Sequence, residues 1–230
     1  MMRQSDILTA IEPPQTNIAF SNGYHIEQLL GEDMKGNPTY IGQTLKKITD
    51  ILNKNDVEFA LAGALSLGVR CKPRYTTDID LLVHPDNYKT LEKLLEASGM
   101  LMLLNDEYML TVKDVATGVE VDLLFSPFDP EESGRVTATR EELFGINVPV
   151  IQSEYLLWMY LLSDQEKHRV DGMNLIKSGG INLEKLITYL DYDEDEESAN
   201  KLIQWIFKAR EESSGSYSKS VRRRKLPKDK

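Results

Sequence analysis

The spacing of apolar residues changes several times between positions 39 and 99, and each change marks the boundary of a predicted element. Residues 39–55 predict an amphipathic helix because four apolar residues recur at helical spacing, namely Ile41, Leu45, Ile48 and Leu52. The stretches that follow predict a buried strand, a short helix, an acidic strand and a second helix, over residues 57–63, 64–70, 78–83 and 86–98, respectively. Gly99 is expected to close the second helix as its C-terminal cap.

Three further strands are predicted before the pattern becomes helical. Residues 101–104 and 107–112 are apolar runs separated by Asn105-Asp106, which indicates a turn. The alternating stretch 119–125 then predicts a strand with Glu120 and Asp122 on one face.

Beyond Pro127 the apolar spacing is that of helices, beginning after Ser153 and broken at Gly179-Gly180. The fold class predicted from this order is α/β (α+β), with a mixed sheet and flanking helices followed by a helical subdomain. The predicted division is an N-terminal arm, the α/β core, a C-terminal helical subdomain and a basic, disordered tail, over residues 1–38, 39–150, 151–212 and 213–230.

Composition restricts the classes of function. The chain has 230 residues, 41% of them hydrophobic and 28% charged, which is enough for a globular core. A formal net charge of −10 argues against non-specific nucleic-acid binding by the whole surface. Cys71 is the single cysteine, and no apolar run has the length of a signal peptide core or a membrane helix. We therefore expect a cytoplasmic protein with no membrane partner.

Asp78 and Asp80 are the most informative residues, because side chains two apart on a strand share a face. Two carboxylates held this close repel each other unless the face is solvated or a cation lies between them. Asp122 lies on a later apolar strand, with Glu120 as the competing third acid. Gly63 ends a strand just before a short helix, where backbone N–H groups suit a phosphate. Three carboxylates beside a phosphate site predict two bound Mg²⁺ ions, with Mn²⁺ as the alternative metal.

The stretch FALAGALSLGVRCKPRYTTDIDLLV, residues 59–83, resembles the signature of the nucleotidyltransferase superfamily that includes DNA polymerase beta. Its R-x-T-x-D-I-D-L form is similar to a bacterial branch that contains AbiEii-type and MenA-type toxins, and LLWMYLLSDQEKHRVDGMNLI resembles the helix pair of that branch. The resemblance implies a nucleotidyltransferase fold over roughly residues 40–210. It also implies a toxin–antitoxin or phage-defence setting with an antitoxin protein as partner.

The resemblance implies a role for each site residue. Asp78, Asp80 and Asp122 are expected to be catalytic and to hold the metal, the first two against the triphosphate of a nucleoside triphosphate (NTP) and Asp122 on the acceptor side. The nucleotide contacts are expected from Gly63, Ala64, Ser66 and Arg74. Arg74 has an alternative role, neutralising the acidic pair in the metal-free protein. The implied reaction moves a nucleoside monophosphate (NMP) to a hydroxyl of tRNA or other RNA, of a protein or of a small molecule.

The chain departs from the family pattern at several positions. The turn is Gly63-Ala64 rather than Gly-Gly or Gly-Ser, and Tyr160 and Val170 stand where the family often has lysine. The residues expected to replace this positive charge are Lys72, Arg74, Lys167, His168 and Arg169. The departures favour an alternative reading, a non-catalytic nucleotide-binding or protein-interaction relative. A C-terminal basic cluster, Lys208, Arg210, Arg222, Arg223, Arg224 and Lys225, indicates either RNA binding or a solubilising tail.

Overall fold

The computed structural model describes residues 39–192 and 194–222, which form two compact units, residues 39–159 and 160–222. The predicted N-terminal arm, residues 1–38, lies outside the described residues, as do Arg223, Arg224 and Lys225. The units divide between Met159 and Tyr160, whereas the division predicted from the sequence falls after residue 150. That predicted boundary stays a prediction.

The first unit contains a seven-stranded mixed sheet with strand order β3-β4-β5-β2-β1-β7-β6. The pairs β1–β7 and β2–β5 are parallel, and the other pairs are antiparallel. The strands are β1 (Phe59–Leu61), β2 (Asp78–Val83), β3 (Met100–Asp106), β4 (Met109–Asp114), β5 (Glu120–Leu124), β6 (Thr139–Leu143) and β7 (Ile146–Val150). The helices of this unit are α1 (Tyr40–Lys54), α2 (Gly63–Arg70), α3 (Tyr88–Ala97), α4 (Glu131–Val136) and most of α5 (Ser153–Leu161), with a 3-10 turn at Pro85–Asn87.

One face of the sheet forms the main core against α1 and α3. Alternation along β2 sends Ile79, Leu81 and Val83 into this core, where they are buried. Asp78 and Asp80 therefore point to the opposite face. This sheet supports the predicted α/β class and explains how an apolar strand presents two carboxylates.

Two details of the sheet differ from the prediction. The β3–β4 turn lies at Glu107-Tyr108, because Asn105 and Asp106 continue β3 and pair with β4. The hairpin β6–β7 and the short helix α4 were not predicted at all. The sequence of β6, TREEL, is largely polar and exposed, so it lacks the alternation by which a half-buried strand is recognised.

The second unit is helical, with α6 (Glu166–Ser178), α7 (Leu183–Tyr192) and α8 (Glu196–Arg222) after the end of α5. Gly179 ends α6 in a left-handed conformation, as expected of a C-terminal cap. α8 extends to Arg222, into the segment predicted as a disordered tail from residue 213, and that tail stays a prediction. Proline is the strongest helix breaker, and none follows until Pro227. Within the described residues, no helix combines the length and hydrophobicity needed to cross a membrane.

Candidate active site

Asp78, Asp80 and Asp122 come together on one face of the sheet. Each offers a carboxylate oxygen, and these oxygens lie within 4.8 Å of one another. The parallel pairing of β2 with β5 produces this arrangement, because its register places Asp80 beside Asp122. All three side chains are half-buried, so they remain open to a ligand from solvent. A cluster of this kind repels itself unless a cation is present.

Gly63 adjoins the acidic cluster at the N-terminus of α2. Its φ is +58°, and a Cβ atom added there would lie 1.7 Å from Asp80 Oδ2. The backbone is fixed here because the Ala62 amide donates to the Asp80 carbonyl at 2.9 Å. Glycine is therefore required at this position both by the backbone conformation and by the close approach of Asp80. This places the start of a helix, with its outward N–H groups, directly beside the carboxylates.

Two threonines hold the carboxylates of Asp78 and Asp122 in place. Thr76 is buried, and its hydroxyl donates to Asp78 Oδ1. Thr111 lies opposite Asp122 in the β4–β5 ladder, and its hydroxyl donates to Asp122 Oδ1 at 2.6 Å. Thr76 belongs to the motif noted in the sequence, whereas Thr111 was missed. Only the register of β4 on β5 reveals it, because this register places Thr111 opposite Asp122.

Glu120 occupies a different position from Asp122. It lies beside Asp78 in the β2–β5 ladder, and opposite Lys113 in the β4–β5 ladder. The Lys113 ammonium contacts Glu120 Oε1 at 3.2 Å. The carboxylates that converge are those of Asp78, Asp80 and Asp122, and the roles assigned to them stay predictions.

The remaining nucleotide-binding candidates vary in their access to a ligand. Arg74 is half-buried and donates from Nη1 to the Tyr75 carbonyl at 3.2 Å. Ala64 is buried, and Ser66 has 0% exposure. Among the described residues, the Ser66 hydroxyl has no hydrogen-bond partner. Burial weighs against Ser66 as the residue that replaces a missing turn serine, and its role stays a prediction.

In the helical unit, Tyr160, which stands at a family lysine position, and two of the expected replacements, His168 and Arg169, have local partners. Tyr160 is buried and stacks on His168, with ring centroids 5.0 Å apart. His168 Nδ1 lies 2.7 Å from the Ser163 hydroxyl. The hydrogen bond from Arg169 lowers the pKa of Glu166, and the same contact raises the pKa of Arg169. These contacts give each residue a structural role within its own unit.

Comparison with known proteins gives structural but not sequence matches. No protein-family model matches the chain, and no curated protein matches it. One similar solved structure is ANT(2'')-Ia in complex with adenylyl-2''-tobramycin, with a TM-score of 0.50 and 16% identity, covering 73% of this chain and 99% of that chain. Another is an antigenic nucleotidyltransferase-like protein from Paracoccidioides brasiliensis, with a TM-score of 0.50 and 17% identity, covering 75% of this chain and 90% of that chain. The chain therefore has the nucleotidyltransferase fold.

Proposed function

We propose that the protein is a metal-dependent nucleotidyltransferase that moves an NMP from an NTP to a hydroxyl acceptor. The observation that carries this proposal is the convergence of Asp78, Asp80 and Asp122, whose carboxylate oxygens lie within 4.8 Å of one another beside the Gly63 turn. Three carboxylates held this close are poorly suited to a purely structural role, since placing like charges together is costly unless a cation lies between them.

The donor set fits a hard divalent cation. Magnesium prefers carboxylate oxygens together with phosphate oxygens of a substrate, and Asp78, Asp80 and Asp122 supply such oxygens. When bound, Mg²⁺ or Mn²⁺ would supply positive charge that neutralises the triphosphate and the charge developing at phosphorus. The neighbouring threonines keep Asp78 and Asp122 oriented for this role.

The chain's own residues then act by binding and orientation. The first turn of α2, reached through Gly63, directs backbone N–H groups toward the phosphates of the NTP. Asp122 accepts the proton of the acceptor hydroxyl. A bond forms between the acceptor oxygen and the α-phosphorus, and the bond from that phosphorus to the bridging α–β oxygen breaks. Pyrophosphate leaves with the electron pair, and the NMP remains on the acceptor.

The resemblance to AbiEii-type and MenA-type toxins supports a finer proposal. In that setting the protein is a cytoplasmic toxin of a toxin–antitoxin or phage-defence system and is held inactive by an antitoxin protein. The acceptor is then RNA such as tRNA, a protein or a small molecule. The motif that supports this branch includes Arg74, Thr76, Asp78 and Asp80.

The direct test is incubation of the protein with each α-³²P-labelled NTP and Mg²⁺ in a cell extract, followed by fractionation of the labelled products. We expect label in one class of acceptor with the wild type and none with Asp80→Asn. The matched control is Asp86→Asn, which removes a highly exposed carboxylate just beyond the same strand. Equal labelling by the wild type and Asp80→Asn would contradict the proposal.

The second candidate is a nucleotide-binding protein without turnover. The observation in its favour is the Gly63-Ala64 turn, with the nearby Ser66 hydroxyl buried. Under this alternative, Mg²⁺-dependent binding of an NTP is retained while no acceptor is labelled. The same extract experiment, combined with a binding measurement, distinguishes the two functions.

A further inference from the structure

The acidic cluster continues across the sheet into two rows of side chains that reach its edge. Because residues paired directly across strands share a face, the β5–β4–β3 register extends one row from Asp122 through Thr111 to Leu104. The neighbouring row extends from Glu120 through Lys113 to Leu101. A bulge between Met102 and Leu104 keeps both leucines on the face of the carboxylates.

The two leucines form an apolar area that is open to solvent at this edge. Leu101 is 54% exposed and Leu104 is 42% exposed, although both lie on a seven-residue strand. Edge strands are usually protected by charged residues or proline, and this strand has neither before its last residue, Asp106. Neighbouring strands lie about 4.8 Å apart, so Leu104 is roughly 10 Å from Asp122 along the row. Exposed apolar area bordered by polar residues is a feature of surfaces that bind a ligand.

The charge of the strands that carry this area disfavours a polyanionic acceptor. Between Met100 and Leu124 the sequence has one basic residue, Lys113, and its ammonium is already 3.2 Å from Glu120. The acidic residues of the same stretch are Asp106, Glu107, Glu120 and Asp122, together with Asp114, which is buried and bonded to Lys47. An RNA acceptor needs basic side chains to contact its phosphates, and β3, β4 and β5 offer only Lys113.

We propose that Leu101 and Leu104 form the acceptor platform, and that the acceptor is a phosphate-free, amphipathic small molecule with a hydroxyl group. Its hydroxyl lies at Asp122, its polar part contacts Thr111 and the Lys113–Glu120 pair, and its apolar part covers the two leucines. This inference rests on the proposed function, because it uses Asp122 as the acceptor-side carboxylate. It adds the class of acceptor and the residues that select it.

The test measures binding of n-alkyl β-glucosides, from methyl to octyl and below their micellar concentrations, to the full chain by calorimetry. We expect affinity to rise with chain length by up to roughly fourfold for each methylene that is buried. The double variant Leu101→Thr/Leu104→Thr keeps residues suited to a strand and should lose this dependence on chain length. The control Val136→Thr changes another exposed aliphatic residue, on α4, and should retain it.

Further measurements separate this inference from the proposed function. Mg²⁺-dependent NTP binding should be unchanged in the double variant, and its labelling of small molecules in a cell extract should fall at least tenfold. If the wild type labels nothing yet binds octyl glucoside through the leucines, the proposed function fails and the binding surface stands. The platform is overturned by any of three results: equal affinity for methyl and octyl glucoside, label transferred to RNA, or a dimer that the double variant dissociates.

Discussion

Gly63 lies so close to the Asp80 side chain that no larger residue fits at position 63. A Cβ atom at this position would lie 1.7 Å from Asp80 Oδ2 and 2.5 Å from Asp80 Cγ, well inside van der Waals contact. Since φ is +58°, the backbone itself also favours glycine. The turn and the carboxylate are therefore one structural unit, and a change in the first must displace the second.

Gly63→Ala is expected to abolish Mg²⁺-dependent NTP binding because the added methyl group displaces the Asp80 carboxylate. The measurement is NTP affinity by calorimetry with and without Mg²⁺. The control is Gly145→Ala, which also places alanine at a positive φ, +69°, but has nothing within 4 Å of the added Cβ. It should lower the free energy of unfolding by about 1–2 kcal/mol and leave NTP affinity unchanged. Loss of NTP binding in both variants would show that backbone strain, not the contact with Asp80, is responsible.

Asp78→Asn and Asp80→Asn are expected to remove NMP transfer without destabilising the metal-free protein. Each variant removes one of three clustered negative charges, so repulsion within the cluster decreases. The melting temperature without metal should be unchanged or higher. In the wild type, Mg²⁺ and a non-hydrolysable NTP analogue should raise the melting temperature, because they bind the folded state. This increase in melting temperature should disappear in both variants. A marked loss of stability without metal would contradict this assignment.

The sequence predicted the acidic cluster because its signals are local. Asp78 and Asp80 are two residues apart on a strand, and Gly63 follows a short apolar strand, so each can be recognised without knowing the sheet order. Strand 119–125 was also recognised by alternation, and the structure confirms it as Glu120–Leu124. What the sequence could not supply is the parallel register that brings Asp122, rather than Glu120, beside Asp80.

The parts that were missed depend on non-local pairing. Thr111 and Leu104 become relevant only because β3, β4 and β5 align them in a row with Asp122. Placing the turn at Asn105-Asp106 shifted that alignment, because Asn and Asp favour turns but here pair with Leu110 and Met109. The hairpin β6–β7 was missed because its first strand is polar. Its turn residues, Phe144 and Gly145, both have positive φ, and the phenylalanine is not one of the residues by which such a turn is recognised in a sequence.

Asp122→Asn is expected to reduce transfer far more than Glu120→Gln, because the Asp122 carboxylate is the one that converges with Asp80. Glu120 contacts Lys113, so its loss should affect mainly that ion pair. The comparison is the single-turnover rate of NMP transfer at saturating NTP. If Glu120→Gln is the more damaging change, the metal-binding assignment on β5 is wrong.

Thr111→Val is expected to lower transfer by roughly tenfold, the scale typical of a lost contact to a metal-binding residue. The hydroxyl at 2.6 Å from Asp122 Oδ1 is removed while the shape of the side chain is kept. Because Thr111 acts through Asp122, the Mg²⁺ concentration needed for half-maximal rate should rise. Thr111→Ser retains the hydroxyl and should restore the wild-type Mg²⁺ dependence. An equal defect in both variants would instead assign Thr111 a packing role.

Asp114 joins α1 to the β4–β5 turn and is 1% exposed. It accepts hydrogen bonds from Lys47 Nζ at 2.7 Å, the Ala116 amide at 3.2 Å and the Thr44 hydroxyl at 3.3 Å. Burial by itself raises the pKa of Asp114, but these hydrogen bonds and the Lys47 charge outweigh it and lower the pKa below its ordinary value. The ionised form is therefore stabilised in the folded state, at a site separate from the acidic cluster.

Because the pKa of Asp114 is lower in the folded than in the unfolded chain, its contribution to stability is complete above the unfolded value of about 4. That contribution is lost as the pH falls from there through the folded pKa, since the unfolded chain takes up the proton first. We expect the free energy of unfolding, measured by urea denaturation between pH 7 and pH 3, to fall less steeply at the acid end in Asp114→Asn than in the wild type. Asp50→Asn, which removes an exposed partner of Lys46 on α1, should keep the wild-type slope. Parallel curves for the wild type and Asp114→Asn would place the acid sensitivity in other carboxylates.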